Sequence, residues 1–395
     1  MNAGLVLLGL AYVLSQFFRA FLAVLSSFLT RDLGVTPDDL AFASGLWFIT
    51  FGLCQIPIGA MLDTLGPRRT AGWLLAAGGG GGSALFALAT NALHLNVAMA
   101  LIGMGCAPVL MASYYIFARV HPPAQFALLA SVMVGLGSFG NLVASYPMGL
   151  AAETMGWRNA MWGLAALSAL VAFGTLALVR DPPKVEGEEK GSLVDLFRIR
   201  ALWLIFPLMG VSYAISGGLR GLWIGPYLSQ VFGASTNTIG IATLAMGLAM
   251  IAGTFAYGPL DRLLGSRKWM IAGGNGVVLL AAAVLIALPA ASVTLSIVLM
   301  CAIGFFGAAY AVIMAHGRSF LPPHLIGRGV TMLNLFSVGG VGVMQFISGR
   351  VYAAQLPAAL PEGPYRAVFT LLTLALLAGW VLYLFSRDSP REALP

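Results

Sequence analysis

The sequence predicts an all-α membrane protein, with twelve transmembrane helices arranged as two pseudo-symmetric six-helix bundles. Three observations carry that prediction. The 395 residues are 59% hydrophobic and 9% charged, unlike a soluble globular chain. Continuous apolar runs long enough to cross roughly 30 Å of hydrocarbon recur along nearly the whole length. Landmarks of the first half return in the second at a near-constant offset.

The first run, 4–29, is followed by a polar loop from Arg31 to Asp39, in which Thr36-Pro37-Asp38-Asp39 is a helix start signal. The second, 40–62, ends in Gly59-Ala-Met-Leu-Asp63-Thr-Leu-Gly66-Pro67-Arg68-Arg69, read as a tight turn whose glycines permit close packing. The third, 71–90, contains Gly78 to Gly82, small residues expected to let neighbouring backbones approach. The fourth, 95–118, carries Tyr114 and Tyr115 and ends at Arg119-Val-His121-Pro122-Pro123. The fifth, 126–152, includes Gly135-Leu-Gly137-Ser-Phe-Gly140, which matches a dinucleotide fingerprint but lacks the strand that must precede one. The sixth, 158–180, follows Glu153-Thr-Met-Gly156-Trp157-Arg158. A polar, near-neutral stretch then divides the chain into an N-terminal bundle (1–180), a linker (181–200) and a C-terminal bundle (201–395). The second bundle has runs at 201–230, 238–260, 269–289, 292–316, 328–351 and 366–386. Unbroken apolarity rather than alternation makes every run a helix instead of a barrel strand.

The repetition is clearest around Tyr12, Ser15 and Arg19, which return as Tyr213, Ser216 and Arg220, each displaced by 201 positions. Gly258-Pro-Leu-Asp261-Arg262-Leu-Leu-Gly265 echoes the turn after the second run, and Arg318…Pro322-Pro323 echoes Arg119…Pro123. Gly339-Gly340 falls where Gly140 does. The chain reads as an internal duplication.

The formal charge of +7 reports topology rather than a polyanionic partner, so no nucleic acid is expected. Fifteen Lys and Arg fall on the side of the N-terminus, four (Arg31, Arg158, Arg350, Arg366) on the other, and Arg19 and Arg220 within spans. That bias places both termini in the cytoplasm. The first run lacks a preceding basic region and is read as a retained helix. Three cysteines, all in spans, read as packing residues and give no disulfide framework.

An arginine at the bilayer centre costs roughly 2.5–3.5 kcal/mol on insertion scales, so it faces a cavity or a partner. At helical spacing, Tyr12, Ser15, Gln16, Arg19, Ser26 and Ser27 share one stripe, and Tyr213, Ser216, Arg220, Trp223 and Tyr227 another. The fourteen acidic residues all fall in loops or at run ends. Arginine therefore dominates the central charge, and its planar fork suits a carboxylate or phosphate. The substrate-site candidates are Arg19, Arg220, Tyr12, Gln16, Tyr213, Trp223, Tyr227, Tyr114, Asn141 and Asn334. For Tyr114, Asn141, Tyr310, Asn334 and Gln345, helix packing is the competing role. His316 could titrate near neutrality. No metal, cofactor or catalytic constellation is expected.

Twelve helices in two halves, with Gly59-x3-Asp63-x2-Gly66-x-Arg68-Arg69 and its degenerate copy at Asp261-Arg262, resemble the major facilitator superfamily. The Glu153…Gly156-Trp157-Arg158 element is similar to that family's outer signature. The resemblance implies alternating access about a central site, with Gly59, Asp63, Gly66, Arg68, Arg69, Asp261 and Arg262 forming a gating element. The family's usual arginine early in the fourth helix is absent, where Ala100-Leu-Ile-Gly103 stands. The arginine pair and Arg220-x2-Trp223-x2-Pro226-Tyr227 look like the organophosphate antiporters, but no mid-membrane lysine accompanies the pair. The expectation is a secondary transporter of a small organic anion, a carboxylate ahead of a phosphate ester, in a prokaryotic inner membrane. A co-transported proton or an exchanged anion remains open as coupling partner. The rivals are a proton-driven exporter of drug-like compounds and a sensor that binds without transporting.

Overall fold

The computed structural model describes residues 3–121, 123–183, 193–322, 325–356 and 360–388. Residues 184–192 of the proposed linker therefore lie outside the described residues, as do the side chains of Asp261 and Arg262.

All secondary structure among the described residues is helical. Among the described residues, nine helices are individually long and apolar enough to cross a membrane, and a bent pair makes a tenth. We number the spans α1 to α12. The bent pair is α1 (Ala3–Phe17 and Leu22–Leu33); α2 is Pro37–Thr64, α4 Ala92–Val120 and α6 Trp157–Leu178. The two remaining spans are interrupted. In α3, a π-helical turn (Leu75–Gly81) separates Pro67–Leu74 from Gly82–Ala87. In α5, Pro123–Val143 and Tyr146–Met155 meet at a break beside Pro147, which has no N–H to continue the ladder. The second set comprises α7 (Phe206–Phe232 overall), α8 (Thr236–Leu264), α9 (Arg267–Ala287), α10 (Val293–Phe306 and Tyr310–Arg318), α11 (Ile326–Ala354) and α12 (Gly363–Leu384).

Two compact units result. The first holds 1–186 with 221–229 and 233–244; the second holds 187–220, 230–232 and 245–395. The later part of α7 and the start of α8 thus pack with the N-terminal helices.

Local rules explain the helix ends. Asp39 accepts from the Thr36 backbone N–H at 3.0 Å and from the Thr36 hydroxyl at 2.8 Å, so the start signal is a closed capping box. At the opposite end of α2, Gly66 takes φ 85°, and Gly265 takes φ 66° at the equivalent turn between α8 and α9. Each turn is followed by a helix whose N-terminus is held by an aspartate from far along the chain. Asp181 accepts from the Arg68 N–H at 2.8 Å. Asp388 accepts from the Lys268 N–H at 3.2 Å and from the Ser266 hydroxyl. A carboxylate here satisfies an orphan donor and the positive helix end together. Asp181→Asn and Asp388→Asn should each cost about 1 kcal/mol, read as a lower thermal midpoint of the purified protein.

The glycine run in α3 does bring backbones together. A Cβ on Gly82 would lie 2.7 Å from Ile102, and Gly78 abuts the Leu101 carbonyl of α4. The Gly140/Gly340 echo is equally physical: Gly140 sits on the Val13 carbonyl of α1, and Gly340 on the Gly210 carbonyl of α7. Gly59 corrects the expectation for its turn, since a Cβ there meets nothing within 4 Å. The packing role belongs to Gly66, whose Cβ would lie 2.7 Å from Asp181 Cγ.

Candidate functional site

Arg19 stands in the break of α1, where the two helical parts meet at 55°. Here the backbone changes from i−4 to i−3 bonding: Arg19 N–H bonds Gln16 O at 3.3 Å, and Ala20 N–H bonds Phe17 O at 3.0 Å. Such tightening kinks a helix. The guanidinium lies 4.8 Å from the Phe51 ring and 5.4 Å from the Trp47 ring, both on α2. Its Nε is buried with no hydrogen-bond partner among the described residues. Nearby, Gln16 donates to the Tyr12 hydroxyl at 2.8 Å, and the Tyr12 ring fills the space beside Gly137 of α5. Tyr114 approaches Tyr12, and Ser15 meets Cys106. Asn141 is half-buried on α5. The first unit therefore collects Tyr12, Gln16, Arg19 and Tyr114 in one polar patch.

The second unit collects a parallel set. Arg220 is 4% exposed and lies in a π-helical turn of α7 (Leu219–Trp223). Its Nη2 is 2.9 Å from where a Gly247 Cβ would sit, so α8 approaches it through a glycine. Tyr213 faces Tyr310 with ring centroids 6.2 Å apart, and the Tyr310 hydroxyl donates to Asn334 Oδ1 at 2.7 Å. Both arginines thus occupy helix irregularities, which cluster at functional sites.

One expectation needs correction. Trp223 and Tyr227 are wholly buried and belong to the first unit, so they do not continue the Tyr213–Arg220 stripe. The π turn inserts an extra residue and rotates everything after it by about 100°. In the first stripe, Ser26 likewise falls beyond the break, donating to Ala23 O at 2.8 Å.

Residues of the expected gating element form a network of their own. Asp63 accepts from the Tyr115 hydroxyl at 3.1 Å and lies 3.9 Å from Arg119, which stacks over Tyr115 at 4.4 Å. Arg68 is held by Asp181, and Arg69 is exposed. A cavity of about 210 Å³ lies among Asp63, Arg68, Arg69, Tyr115 and Asp181. At the other end of the first unit, Trp157 Nε1 donates to Asp32 at 2.9 Å, and Arg158 donates to Ala89 O at 2.9 Å.

His316 is fully buried with both ring nitrogens engaged, Nδ1 with the Tyr383 hydroxyl at 2.8 Å and Nε2 with Arg387 O at 3.0 Å. The carbonyl can only accept, so Nε2 carries the proton and the ring clasps the end of α12. Sequence reasoning missed Trp47, Phe51, Asp181 and Asp388. Trp47 and Phe51 are four apart on one helix face, a signal that was present but looked like packing.

The family model described as Major Facilitator Superfamily matches residues 8–224 and again 209–395. The chain belongs to the major facilitator superfamily. Its membership and its long apolar helices make it an integral membrane protein. Among curated superfamily relatives, the "Probable L-galactonate transporter" of Escherichia coli (strain K12) is 22% identical over 69% of this chain and 63% of its own length. The "Probable galactarate/D-glucarate transporter GudP" of the same organism is 22% identical over 44% of this chain and 40% of its own. The chain thus spans less than two thirds of these relatives. A bacterial homolog of the human lysosomal transporter Spinster, inward-facing and occupied, aligns with a TM-score of 0.77 at 17% identity, over 97% of this chain and 96% of that one. A D-xylose-proton symporter aligns at 0.77 and 14% identity over 98% of both. These likenesses establish the superfamily fold.

Proposed function

We propose that this transporter carries a small organic anion, a hydroxylated carboxylate of the sugar-acid kind, by alternating access. The observation that carries this reading is Arg19, held against two aromatic rings with a buried, unpartnered Nε. A guanidinium kept inside a membrane span at that cost is well suited to an anionic partner. Arg220 supplies a second guanidinium on the other half of the repeat. Every described acidic residue lies at a helix end or in a connection, so the spans offer no fixed carboxylate to a cationic cargo. Relatives named for galactonate and for galactarate or glucarate point the same way. A planar carboxylate meets the guanidinium fork bidentately, and Tyr12, Gln16 and Tyr114 in the first unit and, separately, Tyr213 and Asn334 in the second carry groups suited to hydroxyls. Asp63, Gly66, Arg68 and Arg69 serve as the conformational latch at the cytoplasmic end. The positive-inside bias supports cytoplasmic termini, and the bacterial relatives support a prokaryotic inner membrane.

The test is uptake by proteoliposomes of radiolabelled D-galactonate, glycerol 3-phosphate and ethidium in parallel. Galactonate uptake that saturates, and falls at least about 100-fold in Arg19→Gln, is the expected result. Ethidium flux indifferent to Arg19→Gln would replace this reading with a drug exporter, and galactonate binding without flux would replace it with a sensor.

A further inference from the structure

We propose that Trp47 is a second anion-binding residue, its indole N–H sharing one carboxylate with Arg19. This rests on the organic-anion reading above and names the groups that hold the anion in the first unit.

The indole of Trp47 is wholly buried, and its Nε1 has no hydrogen-bond partner among the described residues. Buried donors are rarely left unpaired, and an orphan calls for a functional explanation. Tryptophan in particular finds a partner for its N–H when buried. The neighbouring Arg19 Nε is a second buried orphan, and the guanidinium carbon lies 5.4 Å from the Trp47 ring. Two unsatisfied N–H donors on side chains in contact call for an acceptor with two oxygens. A carboxylate is the smallest such group.

The surroundings hold both donors rigidly. Phe51 stacks on Trp47 with centroids 5.1 Å apart and planes 18° apart, while Phe48 meets its edge at 4.9 Å. Phe51 and Trp47 flank the guanidinium through their rings, which leaves the in-plane N–H edge to recognise the ligand. Behind them, α4 closes on α2: a Cβ on Gly103 would lie 2.5 Å from Thr50 Oγ1, and Thr50 donates to Ala100 O at 3.0 Å. Pre-positioned donors of this kind lose little freedom when the anion arrives. Ordinary core packing would explain the buried ring but not the orphaned N–H.

Trp47→Phe keeps an aromatic ring and deletes the donor. With purified full-length protein and D-galactonate as probe, the Kd should rise about tenfold in Trp47→Phe. The unliganded variant should still unfold in one cooperative transition, at a midpoint lowered by the smaller buried ring. Trp47→Phe combined with Arg19→Lys should lose less than the product of the two single losses, since both contact one carboxylate. Unchanged galactonate affinity in Trp47→Phe, with affinity lost in Arg19→Gln, would overturn this assignment and leave the carrier reading intact. Failure of the wild type itself to bind galactonate would remove both readings.

Discussion

Valine at Gly225 is expected to abolish transport while leaving a folded, membrane-inserted protein. Any Cβ at this position overlaps the Ala23 carbonyl oxygen and lies 2.7 Å from Ser26 Oγ, so the later part of α7 could no longer seat on the later part of α1. One turn earlier, a Cβ on Gly221 would lie 2.8 Å from the Arg19 carbonyl, which makes this face of α7 a support for the α1 break. Overpacking a close contact costs about 1–3 kcal/mol, and more when the obstacle is backbone. In a two-state carrier that cost acts only on the conformation with the contact closed, shifting the population by about 10- to 100-fold or more. Initial uptake rates should fall accordingly. A cysteine at Ser27, with the three native cysteines replaced, should react faster with an impermeant maleimide in Gly225→Val than in its parent. Gly258→Ala is the control, because a Cβ there meets nothing within 4 Å. Equal labelling and equal uptake in Gly225→Val would show that this contact does not close during transport.

The second large effect is expected at Arg220, where charge is the lesser part of the requirement. Arg220→Lys keeps a cation but replaces a planar five-donor fork with a point charge on a flexible stem. Two charge-assisted hydrogen bonds to one carboxylate are together worth about 3–6 kcal/mol. The lysine variant should therefore lose about 100-fold or more in kcat/KM for the anion. Gly247→Ala tests the same geometry indirectly: its Cβ would stand 2.9 Å from Arg220 Nη2, and the guanidinium would have to move. About a tenfold loss is expected there. If Arg220→Lys transports like wild type, the guanidinium does not bind the anion through its fork. A uniform loss in Arg220→Lys with Gly247→Ala unchanged would point to a need for the guanidinium away from the α8 face.

Membrane insertion, helical class, duplication and superfamily were all legible in the sequence, because each depends on composition or on spacing along the chain. Apolar runs of span length admit one secondary structure in lipid, and matched landmarks such as Arg19 and Arg220 survive as spacing whatever the packing. Even the Gly140 and Gly340 echo translated directly into two equivalent backbone contacts. Straight-helix geometry was the limit. The stripe through Trp223 and Tyr227 was drawn on a regular 3.6-residue period, and the π turn at Arg220 broke that period. The break at Arg19 was equally invisible, since a change from i−4 to i−3 bonding leaves no mark on hydropathy. Only tertiary structure brought Trp47 and Phe51 to the Arg19 guanidinium, and Asp181 and Asp388 to helix ends more than 100 residues away. Sequence determined the superfamily, the helical class and the position of one arginine within a span of each half. Which groups surround each arginine depended on where the helices bend, and bends are set by packing between segments that sequence order keeps apart.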